Sequence, residues 1–344
     1  MDHDDRPLLT HNDYTVACIC PMGVELAPVM AMLDQRHQSL PTSRAQNRYT
    51  LGRIGRHNVV IAVMPEIGNN NAATVAIQLL NDFRSIRVGV LVGSGGGIPR
   101  AVKDIRLGDV VVSKPANTFG GVVQFDRGKI HSNGRFERTG TLGKPPPVLQ
   151  ANVESLIAEH KLTGNQISKY LSEMLRIFPR MKEEGYICPG IEQDQLFEAT
   201  YSHEGGETCQ KCNRGKVVVR DIRTSSAPKI HYGTIGSSNV VIKDGVTREQ
   251  LREDLEILCV EMEAAGLMDN FPCLVIRGIC DYADSHKNKQ WQPYAAATAA
   301  AYAKELLCYI PAQEIEATSK AADDFRGMSN LQNYVHSVSR EISL

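Results

Sequence analysis

Residues 88–97 read VGVLVGSGGG. Residues 88–92 are apolar on both faces. A strand without a polar face belongs inside a sheet covered on both sides, as parallel sheets are. The run Gly93-Ser94-Gly95-Gly96-Gly97 is then expected as a loop at the strand's end, where open α/β sheets place their ligands. Just upstream, Ala72, Val75, Ala76, Leu79, Leu80 and Phe83 fall on one face at helical spacing, with Asn69, Asn70 and Asn71 offering caps. Further back, strands are expected over 15–20, 49–54 and 58–63, the last two joined by Gly55-Arg56-His57. A helix over 24–33 follows Pro21-Met22-Gly23. Downstream, the pattern predicts strands over 109–113, 121–125, 231–235, 239–242 and 274–279. Helices are expected over 261–269 and, rich in alanine, over 293–309. This alternation argues an α/β three-layer sandwich with a mixed central sheet.

The regular pattern breaks in one place. From 126 to 229 the chain is more polar, is broken at Pro145-Pro146-Pro147 before two helical stretches (148–160 and 165–178), and continues in a loop containing Gly and Cys. It reads as an insertion or subdomain within a catalytic domain spanning 14–311, flanked by an N-terminal arm (1–13) and a polar tail (312–344).

Composition narrows the function. Lys plus Arg number 38 against 39 Asp plus Glu, for a net charge of -1. That gives no basic field for nucleic acid and no basic stripe for a membrane surface. No window reaches the roughly 18 apolar residues of a membrane span, and the polar, acidic N-terminus lacks a signal-peptide core. The nine cysteines are odd in number. Cys18, Cys20, Cys259 and Cys280 lie in apolar runs, as suits reduced thiols of a cytoplasmic protein.

Five motifs stand in order: M-x-x-E (Met22 to Glu25), GSGGG (93–97), RLGDVVVS (106–113), VEMEAAG (260–266) and RGICDYAD (277–284). Together they resemble the nucleoside phosphorylase/nucleosidase family, in particular its methylthioadenosine/adenosylhomocysteine nucleosidase branch and the purine nucleosidase-like domains of fungal immune-type receptors. The resemblance covers about 14–125 and 231–311; residues 126–229 look like the long insertion of the fungal branch. It implies a three-layer fold of the phosphorylase type and cleavage of the base–ribose bond of purine nucleosides, adenosine first, then inosine and guanosine. It also implies a homodimer or larger homo-oligomer and no cofactor.

The chemistry fits the positions that the resemblance assigns. Cleaving an N-glycosidic bond builds an oxocarbenium-like sugar and a departing purine anion. Asp281 matches the acid that protonates purine N7, if kept partly protonated. Glu263 matches the carboxylate that accepts from both ribose hydroxyls, with Glu261 beside it and Met262 against the sugar. Glu25 matches the base for the attacking water. Ser94, Gly95 and the glycine-loop amides would line the floor, and the 239–242 strand, through Val241 and Ile242, would contact the base. Phosphorylases of this fold hold the phosphate dianion with Arg; here Leu91 stands three before Ser94, and Glu25 would repel phosphate. Hydrolysis is favoured. A phosphorylase would need Arg48, Arg53 or Arg100 to converge on the site, and a sensing module without turnover is the reading outside enzymes. Arg277 is expected as a structural ion pair with Glu261, and Asp284 and His286 near the 5′ end of the sugar or in a simple loop role.

One motif stays apart. Cys209-Gln210-Lys211-Cys212 is a C-x-x-C in a polar loop. It reads as two reduced thiols, or, with His203, Cys188 or His231, as half of a structural zinc site. No metal is assigned.

Overall fold

Residues 88–97 form one ten-residue strand, so the glycines expected as a loop continue the ladder. The computed structural model describes residues 5–42, 47–100, 102–271 and 273–323. β1 (Val16–Cys20) leads into α1 (Gly23–Ala31) and the short β2 (Gln35–Arg36). β3 (Arg48–Ile54) and β4 (His57–Val63) form a hairpin, and α2 (Asn69–Asp82) precedes β5 (Val88–Gly97). β6 (Val110–Ser113) and β7 (Val122–Gln124) come next, then a second hairpin, β8 (Gly128–Ile130) and β9 (Phe136–Arg138), and the helices α3 (Pro147–Thr163), α4 (Ile167–Ile177) and α5 (Arg180–Glu183). β10 (Ile230–Gly233), β11 (Ile235–Ser237), α6 (Gly245–Leu255), β12 (Cys259–Glu261) and α7 (Ala264–Leu267) follow. The described chain closes with β13 (Cys273–Asp281), α8 (Gln292–Tyr309) and α9 (Ala312–Glu316).

The sheet is mixed, in the order β10-β6-β13-β5-β1-β4-β3-β2. β5 lies at its centre, parallel to β1 and β13, while its last two glycines also pair antiparallel with β12. β12 pairs in turn with β11, and β11 with β7, so a second group of strands branches from the glycine end of β5. Small residues are required there because neighbours crowd the strand. A Cβ on Gly93 would lie 2.3 Å from Arg277 Nη1, and one on Gly96 would lie 2.9 Å from Asp281 Oδ1.

Side chains alternate across β1. Val16, Cys18 and Cys20 enter one core with α1, α3, α4 and α8; Ala17 and Ile19 enter the other with α2 and α7. This gives the three layers expected. The segment 126–229 does not carry a core of its own among the described residues. Leu149, Val153 and Leu156 of α3 and Leu171 and Met174 of α4 share the core of the main sheet.

Other expectations need correction. Residues 239–242 are not a strand: β11 ends at Ser237, and an irregular loop leads to α6. Glu261 closes β12 rather than opening a helix, and the helix after it is the short α7. The asparagines at the start of α2 do not cap it in sequence order. Gly68 is the N-cap residue, and the Asn69 amide is satisfied from outside by Asn239 Oδ1 (3.0 Å). Asn69 Oδ1 instead accepts from Ser237 Oγ and the Gly266 amide, both at 3.1 Å, and so ties α2 to β11 and α7. The arm contains a 3-10 turn, His11–Asp13, docked through His11 Nε2 on the Pro41 carbonyl. Of the expected tail, 324–344 lie outside the described residues. No helix of the described residues is long and apolar enough to cross a membrane.

Candidate active site

Three strand ends meet at the glycine half of β5. β1 delivers the chain into α1, whose third residue is Glu25; β12 ends on Glu261 and leads to Glu263; β13 ends on Asp281. Glu25, Ser94, Gly95, Val241, Ile242, Glu261, Met262, Glu263 and Asp281 all line one cavity of about 290 Å³. The residues singled out in the sequence are therefore brought together.

Glu25 is buried and held by three donors. The Ser94 amide and hydroxyl donate to Oε1 at 2.6 and 2.7 Å, and the Met22 amide donates to Oε2 at 3.0 Å. Ser94 thus grips a carboxylate rather than only lining a floor. Burial pushes the Glu25 carboxyl up, against the opposing pull of Arg277 and these donors.

Arg277 is the buried hub. Its Nη2 donates to Glu261 and, at 2.9 Å, to Glu263 Oε2. Burial alone would lower its basicity; Glu261, Glu263 and Glu25 overcome it and hold the guanidinium above its ordinary value. Glu261 is occupied internally, accepting from the Glu263 amide (3.0 Å) and the Ala264 amide (2.9 Å) as well as from Arg277. It lines the cavity, but its acceptors are spent on the start of α7. Glu263 keeps more freedom: besides Arg277 it accepts only from the Gly68 amide, at 3.3 Å. Its carboxyl is pushed up to about 7, by burial first; Arg277 opposes, and Glu261 and Glu25 add to the rise.

Asp281 stands where the β13–β5 register shifts, between Ile279 and Asp281. Such a bulge re-aims a side chain. Oδ1 accepts from the Ala283 amide at 2.9 Å, and Cys280 Sγ and Lys287 Nζ approach Oδ2 at 3.1 and 3.0 Å. Lys287 was not expected. Burial would lower its ammonium, but Asp281 outweighs this and holds it above the ordinary value. The loop turns back through Ala283 at φ +52°, a left-handed position uncommon outside glycine.

Asp284 and His286 do not line this cavity but the larger one adjoining it. Asp284 pairs with buried Arg248 at 3.0 Å, and His286 stacks on Phe197 with ring centroids 4.0 Å apart. The neighbouring Tyr282 hydroxyl binds Asp194 and accepts from Arg220 at 2.8 Å, so residues of the 126–229 segment grip the loop that follows Asp281. Arg48 and Arg53 lie on β3, and Arg100 faces Glu256 at 4.0 Å; none lines the cavity. A larger cavity of about 760 Å³ adjoins through the shared Cys280, Asp281 and Lys287.

Residues 15–308 match the Phosphorylase superfamily. The chain belongs to that superfamily. It is 47% identical over 314 residues to a nucleotide-binding leucine-rich repeat (NLR)-like protein of Hyaloscypha variabilis, covering 90% of this chain and 31% of that one. It is 24% identical to the ATP nucleosidase Cap17 of Escherichia coli, covering 72% of this chain and 41% of that protein. The chain thus spans a third to two fifths of the length of these two relatives. Among solved structures, the 5′-methylthioadenosine/S-adenosyl homocysteine nucleosidase of Helicobacter pylori superposes with a TM-score of 0.56 at 15% identity. That match covers 86% of this chain and 98% of the other, and shows that the superfamily fold extends over most of the molecule.

Proposed function

We propose that this superfamily member is a purine nucleosidase, hydrolysing the N-glycosidic bond of purine ribonucleosides to free base and ribose. The observation that carries it is the meeting of Glu25, Glu263 and Asp281, from three separate strand ends, in one cavity. In this reading Asp281 gives its proton to purine N7 as the glycosidic bond breaks. Lys287 Nζ lies 3.0 Å from its Oδ2 on the wall of the same cavity, and its ammonium would steady the carboxylate left when that proton has gone. Glu25, desolvated and made more basic by burial, takes a proton from the water that attacks the anomeric carbon. Glu263 accepts from the two ribose hydroxyls. The apolar Val241 and Ile242 wall offers van der Waals contact to the base without an aromatic platform.

Water is favoured over phosphate by charge. Arg277 is engaged by carboxylates and Lys287 by Asp281, so that among the described residues Lys243 is the one cation of the cavity wall outside such a pairing. The test is base release, followed by chromatography, from adenosine, inosine, guanosine, methylthioadenosine, ATP and uridine, each with and without inorganic phosphate. Adenine release that is independent of phosphate is expected. Strict phosphate dependence with ribose 1-phosphate as product, or uridine as best substrate, would overturn the assignment, and calorimetric binding of adenosine without turnover would make the chain a sensing module.

A second reading concerns the 5′ substituent. The adjoining 760 Å³ cavity bears Arg214 and Lys289 besides the paired Lys287, and a relative is an ATP nucleosidase. If ATP is cleaved faster than adenosine in the same panel, the substrate is the nucleotide.

A further inference from the structure

The C-x-x-C of the sequence takes no part in the cavity of Glu25. Residues Cys209–Lys211 form a 3-10 turn closed by the Cys212 amide on the Cys209 carbonyl at 3.1 Å. This turn gathers three ligating side chains: His203, Cys209 and Cys212 place their ligand atoms within 4.8 Å of one another. Cys188 does not join them, lying instead beside Ile191 and Tyr294, and His231 is taken by Asp109 at 2.9 Å.

The surroundings suit a metal-bound imidazole. The Nε2–H of His203 donates to the Thr208 carbonyl at 3.2 Å, so Nδ1 carries the lone pair; it accepts from the Gly205 amide at 3.1 Å, a bond that a metal ion would replace. Metal-ligating histidines are commonly fixed in this way, with the second ring nitrogen on a backbone carbonyl. Beside the cluster stands a second imidazole, stacked on Phe197 and Tyr201, whose ring nitrogens have no hydrogen-bond partner among the described residues. His286 is 7% exposed, and neither ring nitrogen makes a hydrogen bond, the nearer acidic oxygen of Asp284 being 3.7 Å from Nδ1. Its ring meets that of His203 edge-on, with centroids 5.6 Å apart, and its carbonyl lies 3.9 Å from Cys209 Sγ. A buried imidazole left unpaired is costly.

We propose that His203, Cys209 and Cys212 bind a structural zinc ion, with the His286 imidazole turning to complete a tetrahedral two-Cys, two-His set. Two thiolates with two imidazoles in tetrahedral array select zinc, and binding releases the two thiol protons. The site would act as a staple. The His203 amide already donates to Ser285 Oγ at 3.0 Å, so the ion would lock the 203–212 loop onto the stretch that presents Lys287 to Asp281.

The test is the zinc content of the purified 344-residue chain by plasma mass spectrometry. About one ion per chain is expected, falling below about a tenth in the Cys209→Ser and Cys212→Ser variants. Cys188→Ser and Cys308→Ser, at exposed thiols, should keep it. His286→Ala should lose zinc to a competing chelator about 10- to 100-fold more readily; unchanged retention would overturn His286 as a ligand. A second measurement does not depend on the variants folding. Cobalt(II) exchanged into the unsubstituted chain should show thiolate-to-metal charge-transfer absorption. An unsubstituted chain that holds no zinc and takes up no cobalt overturns the proposal, as does full zinc retention in Cys209→Ser or Cys212→Ser.

Discussion

Of the three contacts to Asp281, two act on it in different ways: the Ala283 amide fixes its direction, and the Lys287 ammonium supplies charge. In the proposed reaction Asp281→Asn keeps the shape but delivers no proton. Turnover should fall by about two to four orders of magnitude, with nucleoside affinity by calorimetry nearly unchanged; near-normal turnover would refute the acid role. Lys287→Met should lower turnover by a smaller factor, roughly tenfold. Glu263 makes a pH argument. Its carboxyl is pushed up to about 7 from an ordinary 4.5, so the folded chain binds this proton more tightly than the unfolded one. Its contribution to stability is therefore full below about 4.5 and lost as pH rises through about 7. Function runs the opposite way, because only the ionised form accepts from two hydroxyls. The KM for a ribonucleoside should fall as pH rises from about 6 to about 8, and Glu263→Gln should flatten that dependence while narrowing the gap between ribo- and 2′-deoxyribonucleosides. A KM in the unsubstituted chain that does not move with pH would argue against Glu263 as the diol acceptor.

At the scale of elements, the glycine half of β5 decides how closely the site can be assembled. Gly93→Ala would set a methyl 2.3 Å from the Arg277 guanidinium and 3.0 Å from Glu25 Oε1, both buried and held by several bonds. A loss of about 1–3 kcal/mol in urea unfolding is expected, with a larger loss of turnover; an unchanged midpoint would show that the hub can shift. The same strand shows what was legible in the sequence. Apolar runs at 88–92 and 274–279 located the central strands, since nothing polar interrupts them. The glycines read as a loop because their reason for being small, the side chains of Arg277 and Asp281 pressed against the backbone, comes from a strand some 180 residues away. Residues 239–242 read as a strand for a related reason: Val240, Val241 and Ile242 are β-formers by type, yet they edge a cavity, and Asn239 is drawn off to cap α2. The carboxylates were legible because each follows an apolar strand. Lys287 was not, since its approach to Asp281 depends on the left-handed turn at Ala283.

The whole molecule leaves apolar surface at the mouth of the cavity, where Ile67, Val240 and Val241 are 42%, 58% and 42% exposed. We predict that a second copy covers it, an isologous dimer being the commonest closed assembly. Light scattering should give a dimer, and Ile67→Glu should shift it toward monomer with a raised KM; a fully active monomer would contradict this. The grip on the acid loop has a broader meaning. Tyr282 is held by Asp194 and Arg220, His286 lies on Phe197, and Ser285 accepts from His203. Every one of those partners belongs to the polar 126–229 stretch, which on paper looks most dispensable. The first part of that stretch, α3 and α4, answers to the core of the main sheet; drift in its later part, 194–220, would reach the loop after Asp281 directly, and a homologue that shortened that part would have to invent another anchor for it.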